Sequence, residues 1–278
     1  LIREKQFNIL AINKVLISST NAGAQLGVGV LFKTPLGLLL GSLLGQVASL
    51  GMIFKTTNVI DYFKASKYPY RLIAFKYRKF PQYDIPAVLM NVMANQLPLL
   101  VLGKFFGLGV LGLYSFMYKI LMMPINLLSN TILDVFKQKA SEDYNQQGNC
   151  QKIFNKTLKQ LILVGCVPFT VLGVYAPELF SFAFGEKWQV AGEYAQIMTP
   201  MMFLKFVISP LSYTFYIAQK QKVDVIIQSL LFLLTVCSLA LGVFFDSIEA
   251  TLYFFSGTYS LIYLVYLRLS SLYSRGLN

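Results

Sequence analysis

The sequence predicts an all-α membrane protein, a polytopic bundle of about eight transmembrane helices. Hydrophobic residues make up 56% of its 278 residues and charged residues 13%, against about 45–50% and about 25% in soluble domains. Apolar runs of about 20 residues recur along the chain, which is the length that crosses a bilayer as a helix. The gaps between these runs alternate in charge, as expected when basic loops stay cytoplasmic. The net charge of +12 therefore indicates topology, and no nucleic-acid partner is expected.

Eight apolar windows define the predicted spans, and turn-forming or polar residues separate them. In chain order the spans are 9–32, 36–54, 85–106, 109–133, 158–182, 194–218, 223–245 and 248–272. The short breaks carry Thr34-Pro35, Phe106-Gly107, Gly185, Lys220–Lys222 and Asp246. Prolines inside the windows predict kinks or broken helices, because proline lacks the backbone N–H that a helix needs. They are Pro98, Pro124, Pro168, Pro200 and Pro210.

The distribution of Lys and Arg predicts the orientation of these spans. Two long gaps, 55–84 and 134–159, are rich in Lys and Arg, and the N-terminal and C-terminal segments on the same side are also basic. The gaps on the other side hold Lys33 and Lys187 but several acidic residues. The basic side is therefore expected to be cytoplasmic, with both chain ends inside. The predicted domains are 1–54, two helices, then 55–84, a basic cytoplasmic linker, and 85–278, a six-helix unit.

Polar stripes run along several of the predicted helices, and three of them contain a lysine. Lysine is costly inside a membrane and usually faces the protein interior or a hydrated cavity. At helical spacing the stripes are Lys119, Asn126, Asn130 and Asp134; Lys205, Ser209, Ser212 and Tyr216; Lys14, Ser18, Asn21 and Gln25; and Asn91 with Asn95. Because no carboxylate is expected within the spans, the lysines favour a cationic cavity. Hydrogen bonding between helices is the alternative for the Ser and Asn side chains.

Small residues follow a four-residue interval at Gly37, Gly41 and Gly45, which predicts close packing of two helices. The chain contains no histidine, so His-based catalysis and His-ligated metals are excluded. Phosphate-loop, dinucleotide-binding and nucleophile-elbow motifs are absent from suitable contexts. We therefore expect no enzyme, no catalytic residue, no metal and no cofactor.

Several short segments resemble a known family. The run 80–86, Phe-Pro-Gln-Tyr-Asp-Ile-Pro, precedes a span that ends in Gln96-Leu97-Pro98. Further matching segments are Gly112-Leu113-Tyr114-Ser115, Asn130-Thr131-Ile132, Phe182 to Trp188 and Pro210-Leu211-Ser212. In this order they resemble the O-antigen (Wzx-type) flippases, the polysaccharide-transport branch of the multidrug/oligosaccharidyl-lipid/polysaccharide exporter superfamily. The resemblance covers essentially the whole chain.

The resemblance implies a two-lobe flippase of the bacterial inner membrane. Such proteins move an oligosaccharide linked to undecaprenyl diphosphate across the bilayer by alternating access. Residues 1–54 would then be the last two helices of the N-terminal lobe, with four earlier helices missing, and residues 85–278 the C-terminal lobe. The cavity candidates are Lys119, Asn126, Asn130, Lys205, Lys14, Asn91 and Asn95. A polysaccharide polymerase and a chain-length regulator are the implied protein partners.

Three alternatives remain at the level of sequence. A drug or cation exporter of the same superfamily shares the fold, although lysines inside the spans disfavour cationic cargo. A glycosyltransferase or polymerase of the same pathway is expected to carry a large outer loop or a soluble catalytic region, and the outer gaps here are short. A membrane subunit with no transport role would tolerate substitutions along the polar stripes.

Overall fold

A computed structural model describes residues 7–32, 40–41, 43–47 and 79–276. Within these ranges the chain is helical with short connections and contains no β-strand, which confirms the all-α prediction. The chain divides into two compact units, residues 1–75 and 76–278. The predicted span 36–54 and the predicted linker 55–84 lie largely outside the described residues.

The first unit is organised by a close approach between two helical segments. Helix α1 spans Phe7–Phe32, and residues 40–41 and 43–47 are also helical. A Cβ atom at Gly41 would lie 2.7 Å from the Cα atom of Gln25, and one at Gly45 would lie 2.8 Å from the Cα atom of Asn21. Only glycine permits backbones to come this close. The predicted packing role of Gly41 and Gly45 is therefore confirmed, whereas Gly37 lies outside the described residues.

The second unit contains the long helices of the bundle. They are α2 Lys79–Val101, α3 Leu108–Gln147, α4 Gln151–Phe184, α5 Gln189–Ile208, α7 Gln221–Phe244 and α8 Ile248–Ser274, with the short helix α6 at Thr214–Ile217. A π-helical turn, Leu102–Phe106, follows α2, and a 3-10 turn, Leu211–Tyr213, lies between α5 and α6. Helix α5 is the central element, since it packs against α3, α4 and α8 and carries most of the buried methionines.

Five helical segments of the described chain are long and apolar enough to cross a membrane. They are Gln82–Phe106, Leu108–Gln147, Gln151–Phe184, Gln221–Phe244 and Ile248–Ser274, and they contain or closely match five of the predicted windows. Their outward faces carry exposed apolar side chains, such as Leu163 at 73% and Phe182 at 93% exposure. An exposed apolar surface of this extent is expected where lipid is the solvent. The protein is therefore a polytopic membrane protein.

The window 194–218 is broken at Pro210, as the proline in this span predicted. Helix α5 ends at Ile208, and the chain continues through the Leu211–Tyr213 turn into α6. Pro210 has no N–H to offer the carbonyl group of Phe206, so it cannot extend α5. Ser209 and Ser212 lie at this break, and both line a pocket.

The basic gap 134–159 was wrongly predicted as a loop. Helix α3 continues to Gln147 and α4 begins at Gln151, so only 148–150 is non-helical. Lys, Glu and Gln are good helix formers, and neither proline nor glycine occurs between 134 and 147. Leaving the membrane therefore does not end the helix, and Gly148 ends it in the left-handed conformation at φ 71°.

The α3–α4 hairpin is packed beyond the predicted span. Phe136 and Phe154 are buried and contact each other edge to face, with ring centroids 6.4 Å apart. The backbone N–H of Cys150 donates to the carbonyl oxygen of Ser274 at 2.7 Å. This bond fixes the end of α8 against the α3–α4 connection.

Candidate functional site

A polar pocket of about 110 Å³ opens inside the second unit between α2, α5, α7 and α8. Its wall contains both polar and apolar surface, in contrast to the apolar groove of about 160 Å³ between α3, α4 and α5. The polar groups on the wall come from Asn91, Lys205, Ser209, Ser212, Gln228 and Tyr266. Pockets that enclose a drug-sized ligand are about 300–1,000 Å³. This pocket is therefore large enough only for a small group, such as a phosphoryl group or one edge of a sugar.

Lys205 is the cation of this pocket. Its ammonium nitrogen donates to the amide oxygen of Asn95 at 2.8 Å and to the hydroxyl oxygen of Tyr118 at 3.4 Å. It also lies 5.8 Å from the centroid of the Tyr118 ring, within cation–π range. An ammonium has three donors, so within the described part of the chain one donor has no protein acceptor. No carboxylate there forms an ion pair with Lys205, and the charge is available to an anionic ligand.

Two asparagines of α2 continue from Lys205 towards α7. The amide nitrogen of Asn95 donates to the side-chain oxygen of Asn91 at 3.1 Å and to its backbone oxygen at 2.7 Å. The amide nitrogen of Asn91 donates in turn to the side-chain oxygen of Gln228 at 3.0 Å. The structure thus brings together Asn91, Asn95 and Lys205, which the sequence placed on two separate stripes.

Asp224 is a functional candidate that sequence reasoning missed. The expectation of no carboxylate within the spans was wrong, because Asp224 lies in the first turn of α7 and is 7% exposed. The hydroxyl groups of Tyr266 and Tyr216 donate to its two oxygens at 2.5 and 3.5 Å, and Gln228 lies one helical turn further along α7. The spacing of Asp224, Gln228 and Leu231 on one helical face was the signal available in the sequence.

The structure leaves Lys119, Asn126 and Asn130 outside this pocket. All three share one face of α3 and are exposed, and none hydrogen-bonds to the described residues. The neighbouring residue Tyr118 faces inward instead, and its hydroxyl group contacts Asn95 and Lys205. Nothing in the described second unit covers the Lys119 face, so its role as a cavity wall stays a prediction.

The stripe on α1 has a packing role where the structure describes it. Asn21 and Gln25 meet the two glycines of the 40–47 segment. Their position supports the alternative that polar side chains in this stripe lie at a helix–helix contact. The side chain of Lys14 lies outside the described residues. Within the described ranges, no group of three or more His, Cys, Asp or Glu side chains is arranged to hold a metal.

Comparison with known proteins places this membrane bundle in a family. The family of polysaccharide biosynthesis proteins matches residues 1–193, which is more than half of the chain. The chain belongs to this family. The match runs through both units and includes α2, which carries Asn91 and Asn95, but it stops before Lys205 and Asp224.

Two curated relatives match part of the chain. The chain is similar to the amylovoran biosynthesis protein AmsL of Erwinia amylovora, with 21% identity over 48% of this chain and 33% of the relative. It is also similar to the teichuronic acid biosynthesis protein TuaB of Bacillus subtilis (strain 168), with 24% identity over 47% of this chain and 27% of the relative. The matched region spans about a third of each relative's length. No solved structure matches.

Proposed function

We propose that this member of the polysaccharide biosynthesis family is a flippase that moves an oligosaccharide linked to undecaprenyl diphosphate across the inner membrane. The observation that carries the proposal is the Lys205 ammonium, which donates to two neutral oxygens inside a membrane bundle and has one donor without an acceptor among the described residues. A buried charge without an ionic partner is costly. A diphosphate that passes through the protein is a ligand that offsets this cost.

The pocket size agrees with recognition of one charged group and not of a whole glycan. About 110 Å³ accommodates a phosphoryl group, while the sugars and the lipid require a larger space. In the proposed mechanism the second unit supplies the anion contact, and alternating access of two lobes supplies the path. No covalent chemistry is required, so we propose no enzymatic activity. A polymerase and a chain-length regulator are the proposed partners on the outer side.

Loss of the protein is expected to block export of the glycan precursor. Deleting the gene should leave the lipid-linked repeat unit on the cytoplasmic leaflet and remove the glycan from the cell surface. Both are measured by extracting the lipid-linked sugars and by staining the surface polysaccharide. A plasmid copy should restore the glycan.

A cation exporter of the same fold is the second candidate, since the buried carboxylate of Asp224 lies beside the pocket. For that function the deletion strain would keep its surface glycan and become sensitive to lipophilic cations. A retained surface glycan together with sensitivity to lipophilic cations would contradict the flippase proposal.

We also propose that the α3–α4 connection is cytoplasmic, on the grounds of the basic residues around it. Single cysteines are placed at two exposed positions beyond opposite ends of α4, Gln146→Cys and Glu186→Cys, in a background without native cysteines. A membrane-impermeant thiol reagent added to intact cells is expected to label position 186 and to leave position 146 unlabelled until the membrane is permeabilised. Labelling of position 146 alone in intact cells would reverse the orientation.

A further inference from the structure

A chain of three side-chain amides leads from the partly buried cation of Lys205 to the helical turn of α7 that carries the buried carboxylate. Lys205 donates to the oxygen of Asn95, Asn95 donates to the oxygen of Asn91, and Asn91 donates to the oxygen of Gln228. Gln228 lies one helical turn after Asp224 on the same face of α7, so the chain ends at the residue next to the carboxylate on that helix. We call this the amide chain, and it consists of Asn95, Asn91 and Gln228.

The amide chain is polarised in one direction. Asn95 and Asn91 each accept on the side of Lys205 and donate on the side of Asp224, and Gln228 accepts from Asn91, so the dipoles along the chain add instead of cancelling. Hydrogen bonds arranged head to tail strengthen one another in a medium of low dielectric constant. The arrangement stabilises a positive charge at one end and a negative charge at the other, although Lys205 and Asp224 form no ion pair with each other.

We propose that Asp224 is the remote counter-charge of Lys205, and that anion binding at Lys205 is coupled through the amide chain to uptake of a proton by Asp224. The proton comes from the bulk solution and converts the carboxylate to a carboxylic acid. An anion at Lys205 neutralises the cation that favours the charged carboxylate, so the two binding events favour each other. By thermodynamic linkage the effect is reciprocal. This inference rests on the proposed role of Lys205 as the anion contact.

The surroundings of both charges are consistent with such coupling. Asp224 is faced by Asp84 from α2, by Tyr216 from α6 and by Tyr266 from α8. When Asp84 is ionised, its negative charge makes ionisation of Asp224 less favourable. The Oδ1 atom of Asp84 is buried and has no hydrogen-bond partner in the described chain.

Lys205 is faced by neutral groups, which are Asn95 from α2, Tyr118 from α3 and Tyr263 from α8. Asp224 is therefore the negative charge to which the amide chain links Lys205.

The test is a pH titration of Asp224 in the purified full chain. Difference infrared spectroscopy of the protonated carboxyl band measures the protonation of Asp224 at each pH. The band is assigned by its loss in Asp224→Asn. In Lys205→Met the titration midpoint should move to higher pH, because the carboxylate loses its counter-charge. Sulfate, which stays a dianion between pH 4 and 9, should move the midpoint in the same direction in the wild type and leave Lys205→Met unaffected.

Breaking the amide chain distinguishes coupling through the chain from a direct electrostatic interaction of the two charges through space. In a Gln228→Leu background, the shift caused by Lys205→Met should fall to less than half, and Asn91→Leu should act in the same way. Gln138→Leu removes an amide from the exposed surface of α3, where Gln138 bonds to Glu142, and is the control that should leave the shift intact. Size-exclusion profiles identify any variant that fails to fold.

Two results would overturn the inference, and they are distinguishable. If Lys205→Met or sulfate leaves the Asp224 titration unmoved, the two charges are not coupled. If the shift is the same with and without Gln228, the amide chain is not its path. Sulfate binding that is lost in Lys205→Met while the Asp224 titration stays fixed would overturn the coupling alone and leave the anion contact of the proposed function in place.

Discussion

Replacing Lys205 by alanine is expected to reduce glycan export by roughly 10- to 150-fold. Hydrogen bonds to a charged group contribute about 1.5–3 kcal/mol, and about 1.4 kcal/mol corresponds to a factor of ten. The substitution removes the donor that is free for the anionic group and leaves Asn95 and Tyr118 without their cation. The measurement is surface glycan in a deletion strain that carries each variant at matched protein levels.

Two further variants make this result specific. Lys205→Arg keeps the charge in a bulkier, planar form, so it should retain part of the export. Lys222→Ala removes an exposed lysine from the first turn of α7 and should export normally. If Lys205→Ala folds, accumulates and still exports at the wild-type rate, Lys205 does not contact the substrate. If the Lys119 face lines the cavity, Lys119→Ala is expected to reduce export and Lys119→Arg to preserve much of it, measured in the same strain.

Replacing Gly192 by leucine is expected to produce the largest loss of stability. Gly192 is buried where α5 crosses the kinked part of α4, and a Cβ atom there would lie 2.5 Å from the Cα atom of Pro177 and 2.6 Å from the carbonyl oxygen of Ala176. These contacts are with backbone, so no side-chain rotation relieves them. Overpacking a core costs about 1–3 kcal/mol, and we expect the upper end of that range or more.

The readout for Gly192→Leu is the Tm of the detergent-solubilised protein together with its amount in the membrane. Gly109→Leu is the matched control, since a Cβ atom at Gly109 has no atom of the described chain within 4 Å. The control should keep a wild-type Tm. Equal Tm values for the two variants would show that α4 and α5 are not in contact in the membrane.

The sequence predicted the helices well because their cause is local. A run of about 20 apolar residues has to satisfy its backbone hydrogen bonds inside lipid, and a helix does this without help from the rest of the chain. Element ends were less predictable. The polar segment 134–147 looked like a loop because charge marks the membrane boundary, but helix propensity and not polarity decides whether α3 stops there.

The candidate site was predictable in part, since it depends on which helices meet. Periodicity placed Asn91, Asn95 and Lys205 on inward faces, and the structure brings them together. The same argument selected Lys119, which lies on the exposed face of α3, one residue from the inward-facing Tyr118. Asp224 was passed over because it lies in the first turn of its helix, where a carboxylate is ordinarily solvated. Its hydrogen-bond partners are Tyr216 on α6 and Tyr266 on α8, so no pattern within α7 itself predicts its burial.

The unbroken length of α3 has a mechanical consequence. Its 40 residues rise about 60 Å, while the hydrocarbon layer is about 30 Å thick, so about half of the helix stands clear of the lipid. Joined to α4 through only residues 148–150, that half forms a stiff arm. A tilt of about 10° within the bilayer swings the tip of a 30 Å arm through about 5 Å. Small rocking motions of the bundle are thereby amplified into larger displacements at the tip of the arm.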